Sequence, residues 1–131
     1  MERVHFAGQI SQKRLPEYFR AADVYVSASH SDGTSISLLE ALASGVPALV
    51  SDIPGNREWI TPGVEGWWFP VGDAQALCKA ILQAVDERDT LAAKRQSARA
   101  LAEARADWRQ NFKRLFDAYA LALNGHDPSQ A

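Results

Sequence analysis

The chain has 131 residues, 47% of them hydrophobic and 23% charged, which suits one compact globular domain. Its 14 Lys and Arg against 16 Asp and Glu give a formal charge of −2, and this balance argues against a dedicated nucleic-acid binder, which would usually be strongly basic. The single cysteine, Cys78, excludes an internal disulfide framework and a cysteine zinc cluster.

In chain order, short β-rich runs alternate with amphipathic helical stretches. The run VHFAG, residues 4–8, predicts a short buried strand. The helical spacing of Leu15 and Phe19 predicts a helix next, with Ser11 as its N-cap. The run DVYVSAS, residues 23–29, predicts the second strand, and its continuous apolar character fits burial on both faces.

The middle of the chain repeats this alternation. After the loop SHSDGT, the stretch SISLLEALAS predicts a helix that stops at Gly45, with Pro47 just beyond it. Residues 47–51, PALVS, predict a third strand, and residues 57–60, REWI, predict a short helix. Residues 67–70, WWFP, predict a fourth strand.

Three helical stretches complete the chain. Asp73 is suited to cap the first, the second covers about residues 89–104, and the third, about residues 107–123, places aromatic side chains on one face. The tail 124–131 is predicted to be disordered. Because strands separated by helices pair in parallel through crossovers, we predict an α/β fold. It would be a Rossmann-like three-layer sandwich with a mostly parallel sheet of about four strands and C-terminal helices.

The loop after the second predicted strand is the best site candidate, because ligands bind at the carboxyl ends of strands in an open parallel sheet. This loop carries Asp32 and Gly33 and leads into a helix that begins near Ser35. The free backbone N–H groups and the dipole of a helix N-terminus favour an anion there. Asp32 could equally be only a capping residue, and Gly33 could simply serve a tight turn.

Glu40 lies eight residues after Asp32, on a helical face made mainly of small side chains. A ligand could lie along that face with its anion at the helix N-terminus and a diol against the Glu40 carboxylate, which can use both oxygens as acceptors. A solvated surface position is the alternative for Glu40. Arg57, the only nearby base, could also be merely a surface charge.

Several motifs together resemble a known family. Residues 23–73 carry Asp32 and Glu40 where that family has two glutamates separated by seven residues, followed by LLEALASGVP. The upstream VHFAGQIS and LPEYFRAADV, the downstream EGWWFPVGD, and Trp108 with a late Tyr119 follow the family's order. The chain therefore resembles, over about residues 3–122, the donor-binding C-terminal half of family-4 retaining glycosyltransferases, which have the GT-B fold.

The resemblance implies a function for each matching residue. The reaction would transfer a sugar from a nucleotide-diphosphate sugar to an acceptor hydroxyl with retention, with no metal or other cofactor. Asp32 would lie beside the transferred sugar as the catalytic-site carboxylate, and Glu40 would bind the ribose hydroxyls. The other implied donor-binding residues are Gly33, Thr34, Ser35, Ile36 and Ser37 at the diphosphate, and Gln9 and Ile10 near the base.

The chain also departs from the family. Asp32 is one methylene shorter than the usual glutamate, which draws its carboxylate back by about 1.5 Å. Residues 1–123 match a donor-nucleotide-binding domain without its first two strands, and the acceptor-binding N-terminal domain has no counterpart, so we expect no turnover by this chain alone. Since the absent strands would leave sheet edges open, we also expect self-association.

Two other functions are also compatible with the sequence. One is a non-catalytic module that binds a nucleotide sugar through Glu40. The other is an interaction module, because the basic segment 88–114 could meet a partner or an anionic lipid surface, or form only a solvated helical surface. No apolar run approaches the roughly 18 residues that span a bilayer, and MERVHF lacks the layout of a signal peptide. We therefore expect a cytoplasmic location, with peripheral contact at the inner membrane face as a further expectation.

Overall fold

The computed structural model describes residues 3–124, and over that range the chain is an α/β structure. Its strands in this range are β1 (Tyr25–Ser27), β2 (Ala48–Ser51) and β3 (Gly66–Phe69). Its helices are α1 (Leu15–Ala21), α2 (Ile36–Ala43), α3 (Pro54–Arg57), α4 (Ala74–Asp86), α5 (Leu91–Arg105) and α6 (Trp108–Asn124). A 3₁₀ turn, Arg88–Thr90, joins α4 to α5.

The three strands form one parallel sheet in the order β1-β2-β3. Val26, Leu49 and Trp67 lie side by side across it. Each strand is followed by a helix that returns the chain to the same end of the sheet, which is why the strands run parallel. All four residues of β2 are buried, as expected for a central strand covered on both faces.

One face of the sheet packs against α4. Leu49 and Trp67 point to that side, where they form a buried cluster with Ala80 and Ala84 of the helix and with Phe69. Asp73 begins α4 as predicted, because its carboxylate accepts a hydrogen bond from the Ala76 N–H at 2.8 Å.

The opposite face packs against α2 and α5. Leu38 and Leu42 of α2 are 1% and 0% exposed, and they share a core cluster with Ala48 and Val50 of β2. Replacing either leucine with alanine is expected to cost about 2–5 kcal/mol of stability. The α-β-α layering predicted from the sequence is therefore confirmed.

The end of α2 is closed in the way its sequence predicts. Gly45 adopts φ +70°, the Gly45 N–H donates to the Leu42 carbonyl, and the Val46 N–H donates to the Ala41 carbonyl, each at 2.9 Å. The guanidinium of Arg99 donates to the carbonyl of Ala43, so α5 supplies a hydrogen-bond donor to one of the free carbonyl groups in the last turn of α2.

Residues 4–8 do not form the predicted strand, so the sheet of the described residues has three strands rather than about four. Val4 and Phe6 are 68% and 91% exposed. A strand requires a hydrogen-bonded neighbour, and this segment lies beside none in residues 3–124. β1 is consequently an edge strand.

Two helix starts also differ from the prediction. Ser11 does not cap α1, which begins at Leu15; instead the Ser11 backbone carbonyl accepts from the N–H groups of Arg14 and Leu15. The short helix after β2 is Pro54–Arg57 rather than REWI, because proline is pre-organised for the first turn of a helix.

The last two predicted helices are confirmed, but the apolar face of α6 is largely open. Trp108, Phe116 and Tyr119 are 69%, 60% and 59% exposed. Asn124, predicted to start the tail, is the last residue of α6, and residues 125–131 lie outside the described part of the chain. Within residues 3–124, no helix combines the length and the apolar character that a membrane span requires.

Candidate functional site

The loop nominated as the candidate site lies at the carboxyl end of β1 and leads into the start of α2. The loop between them carries Asp32, Gly33 and Thr34, all exposed. The turn after β2 lies directly against this loop, since a Cβ built on Gly55 would lie 2.7 Å from the carbonyl oxygen of Asp32. The two neighbouring strand ends thus form one surface.

A set of hydroxyl groups fixes the first turn of α2. Ser35 is the N-cap, and its Oγ accepts from the Leu38 N–H at 3.4 Å. Ser37 Oγ lies 3.1 Å from Ser35 Oγ and 2.7 Å from the Tyr25 hydroxyl, which ties the turn to β1. Because the first N–H groups of a helix have no partner within it, those of Ile36 and Ser37 are available to an anion.

Glu40 lies in a cleft, half-buried, and is neither turned away from it nor sealed by packing. The cleft has a volume of about 430 Å³ and is lined also by Gln12, Phe19 and Arg99. Gln12 Nε2 donates to Glu40 Oε1 at 2.7 Å. Since Glu40 follows Ile36 by four residues, it lies about 6 Å further along the helix axis than the start of α2.

The structure brings some predicted residues together and separates others. Ser35, Ile36, Ser37 and Glu40 follow one another along α2, and Asp32, Gly33 and Thr34 immediately precede it. Of the predicted site residues, only Glu40 is among the described residues that line the cleft, which extends from Gln12 to Ser44 and Gly45 at the C-terminal end of α2. Residues 32–37 lie outside its lining, as do Gln9 and Ile10. The ligand roles assigned to all of these residues stay predictions.

Two features of the site were missed by sequence reasoning. Gln12 was overlooked because its partner Glu40 lies 28 residues away, and no local pattern signals such a contact. Gly55 was not singled out; the Pro-Gly-Asn run was the available signal, since glycine allows another backbone to approach closely.

Arg57, the base nominated from sequence, is engaged by a neighbouring carboxylate. Its Nε and Nη2 donate to the two oxygens of Asp52 at 2.6 and 3.0 Å. The hydrogen bond and charge of Arg57 lower the pKa of Asp52, and the same contact raises the pKa of Arg57. Arg57 also lies 5.8 Å from the ring centroid of Trp68, so it is held against β3.

Comparison with known proteins decides the family. The family model described as Glycosyl transferases group 1 matches residues 1–114. The chain belongs to this family. The resemblance predicted from the sequence is thereby confirmed at the level of group 1, while the narrower assignment to family 4 stays a prediction.

Relatives of this group 1 glycosyltransferase chain are much longer than it is. The phosphatidyl-myo-inositol mannosyltransferase of Mycobacterium leprae is 33% identical over 109 residues, covering 82% of this chain and 29% of that protein. Sucrose-phosphate synthase from Thermosynechococcus elongatus superposes with a TM-score of 0.87 at 27% identity, over 95% of this chain and 31% of that one. Anabaena HepE, in complex with UDP and glucose, superposes with a TM-score of 0.82 at 23% identity, over 90% and 32%.

The structural neighbours are GT-B glycosyltransferases, so the group 1 chain has the fold of part of a GT-B protein, as predicted. It spans less than a third of each of the three relatives named above.

Proposed function

We propose that this group 1 chain is the donor-binding part of a retaining glycosyltransferase, which moves a sugar from a nucleotide-diphosphate sugar to an acceptor hydroxyl. The observation that carries the proposal is the half-buried carboxylate of Glu40 in an open cleft on α2, one turn beyond free N–H groups, in a chain of this family. The narrower family-4 assignment and the retaining outcome rest on the resemblance of the Asp32–Glu40 spacing.

The donor would lie lengthwise along α2. Its diphosphate would accept hydrogen bonds from the N–H groups of Ile36 and Ser37, and its ribose diol would donate to Glu40. The distance of about 6 Å between these two points along the helix suits adjacent parts of one nucleotide. Asp32, in the loop before the helix, would contact hydroxyls of the transferred sugar.

The same arrangement would assist the chemistry. The reaction breaks the bond between the anomeric carbon and a diphosphate oxygen, forms a bond from that carbon to the acceptor oxygen, and releases the acceptor proton. Negative charge grows on the departing diphosphate, and a helix N-terminus stabilises charge that develops beside it. Asp32 would hold the sugar while this bond breaks.

Turnover would require a partner, because acceptor binding in the resembling family belongs largely to an N-terminal domain. The chain covers 29% of the M. leprae mannosyltransferase and 31% of the sucrose-phosphate synthase structure. We therefore expect donor binding by the 131-residue chain without sugar transfer. A non-catalytic nucleotide-sugar module would use the same Glu40 contact, and transfer restored by adding an N-terminal half would separate the two functions.

The test is a calorimetric titration of the chain with UDP, GDP and ADP and with their glucose conjugates. At least one nucleotide should bind, and Glu40→Gln should weaken its binding about tenfold or more. A tenfold change in the dissociation constant corresponds to about 1.4 kcal/mol, which is the order of the cost expected when a charged hydrogen-bond acceptor is lost. Glu17→Gln is the matched control, since Glu17 is an exposed carboxylate on α1. No binding of any nucleotide at millimolar concentration, or equal binding by Glu40→Gln, would contradict the proposal.

A further inference from the structure

The close approach of two loops at the candidate site involves backbone, not side chains. A Cβ built on Gly55 would lie 2.7 Å from the Asp32 carbonyl oxygen and closer still to the carbonyl oxygen of Gly33. Real Cβ atoms essentially never come within 3.0 Å of such neighbours. Only glycine therefore allows the first turn of α3 to lie against the Asp32–Gly33 backbone in this position.

The α3 side of this contact is held firmly. Ile53 and Asn56, which flank the Pro-Gly pair, are 4% and 3% exposed. Asn56 Nδ2 donates to the carbonyl of Ser51 at 2.8 Å, which fixes the turn to the end of β2. Gly55 is thus presented to the Asp32 loop from a buried, hydrogen-bonded support.

The loop side has a second attachment to the same support. Ser51 Oγ donates to the carbonyl of Ser29 at 2.5 Å, so the end of β2 holds the beginning of the loop while Gly55 meets its middle. Residues 30–34 are themselves exposed. The position of Asp32 therefore depends on the contacts that Ser51 of β2 and Gly55 of α3 make with the loop.

We propose that Gly55, together with Ser51, is a positioning residue for Asp32 and so determines how the transferred sugar is held. This inference rests on the proposed function, in which Asp32 contacts the sugar and Glu40 the ribose. The two contacts have different supports: Glu40 is fixed by the buried face of α2, whereas Asp32 depends on the contact with α3. A change at Gly55 should accordingly affect the sugar and spare the nucleotide.

The expected displacement can be stated from the distances. Ordinary contacts of a Cβ begin at 3.4 Å, so Gly55→Ala reaches one only if the Asp32 carbonyl and the first turn of α3 separate by about 0.7 Å from the present 2.7 Å. Misplacement of a positioned group by about 1 Å can cost on the order of a hundredfold in reaction rate. We expect Gly55→Ala to remove about tenfold or more of the extra affinity that the sugar adds, with nucleoside diphosphate affinity unchanged within about twofold.

The test compares Gly55→Ala with Gly72→Ala. Gly72 has φ +75°, and a Cβ there would have no described neighbour within 4 Å, so this control strains the turn before α4 without touching Asp32. Calorimetry with UDP, GDP or ADP and the matching glucose conjugate gives the ratio of the two dissociation constants. Gly55→Ala should change this ratio and Gly72→Ala should not. The inference is overturned if both variants change it equally, or if Gly55→Ala leaves it at the wild-type value.

A milder variant and a ligand-free measurement keep the inference testable if Gly55→Ala does not fold or if no nucleotide binds. Ser51→Ala removes only the hydroxyl that holds Ser29. Hydrogen–deuterium exchange should then be faster in residues 28–34 and unchanged in α4. Unchanged exchange in residues 28–34 would overturn the inference. Failure of all nucleotides to bind, with the exchange difference present, would instead overturn the proposed function.

Discussion

The contact between Gln12 and Glu40 predicts an unusual outcome: removal of a side chain from the cleft should tighten nucleotide binding. Gln12 Nε2 lies 2.7 Å from Glu40 Oε1, on the oxygen that a ribose hydroxyl would use. A ribose diol that uses both carboxylate oxygens would therefore compete with Gln12 at Oε1. The net value of such a partly exposed hydrogen bond is about 0.5–1.5 kcal/mol. Gln12→Ala should consequently lower the dissociation constant of the nucleoside diphosphate by about two- to tenfold.

Isothermal titration of Gln12→Ala with UDP, GDP and ADP measures this change directly. Gln83→Ala is a matched control, because Gln83 Nε2 donates to Glu87 Oε1 at the same 2.7 Å distance on α4, outside the cleft. The control should leave the dissociation constant at its wild-type value. If Gln12→Ala binds nucleotide as weakly as the wild type or more weakly, then Gln12 is not a competitor of the ligand, and the reasoning is wrong.

Two further predictions concern stability and association. Lys94 is 5% exposed and lies 3.5 Å from Glu87, so Glu87→Gln should cost about 1–3 kcal/mol in urea unfolding by leaving the ammonium without its carboxylate. Hydrogen bonds from Gln83 and Trp67 lower the pKa of Glu87. The contribution of Glu87 to the free energy of unfolding is therefore present above the ordinary pKa of a glutamate and is lost as pH falls through the lowered value. Glu87→Gln should reduce the loss of stability at acid pH, and an unchanged dependence of stability on pH would contradict this prediction. In the edge strand β1, the Tyr25 N–H donates to the Pro47 carbonyl, so the N–H and C=O of Val26 point away from the sheet. These groups can pair with a strand of another chain, and the apparent molecular mass of the wild type in light scattering should therefore rise with protein concentration. Val26→Lys should abolish that rise, whereas Val71→Lys, in the turn between β3 and α4, should not. A wild type that is monomeric at all concentrations would refute the self-association prediction.

The elements that sequence reasoning located correctly are those with capping or terminating residues at their ends. α2 has a serine N-cap at Ser35 and a glycine with φ +70° at Gly45, and α4 begins at the carboxylate of Asp73. The buried strand β2 follows Pro47 directly. Such signals act within a few residues, so one sequence contains them completely.

The features that were missed depend on distant parts of the chain. The strand composition of residues 4–8 is real, but strand formation depends on a neighbour that composition does not reveal. The bond from Gln12 to Glu40 and the approach of Gly55 to Asp32 each join segments more than 20 residues apart. The position of α2, which carries half of the candidate residues, was therefore predictable from a helix pattern, and the contacts that other segments make with those residues were not.

The burial of the inward face of α2 has a thermodynamic consequence. Leu38, Ala41 and Leu42 are at most 1% exposed, so folding alone orients the helix and its terminal amides. A nucleotide that binds along α2 would therefore meet a helix that is already ordered. Its binding should carry little entropic cost for ordering the protein backbone beside it.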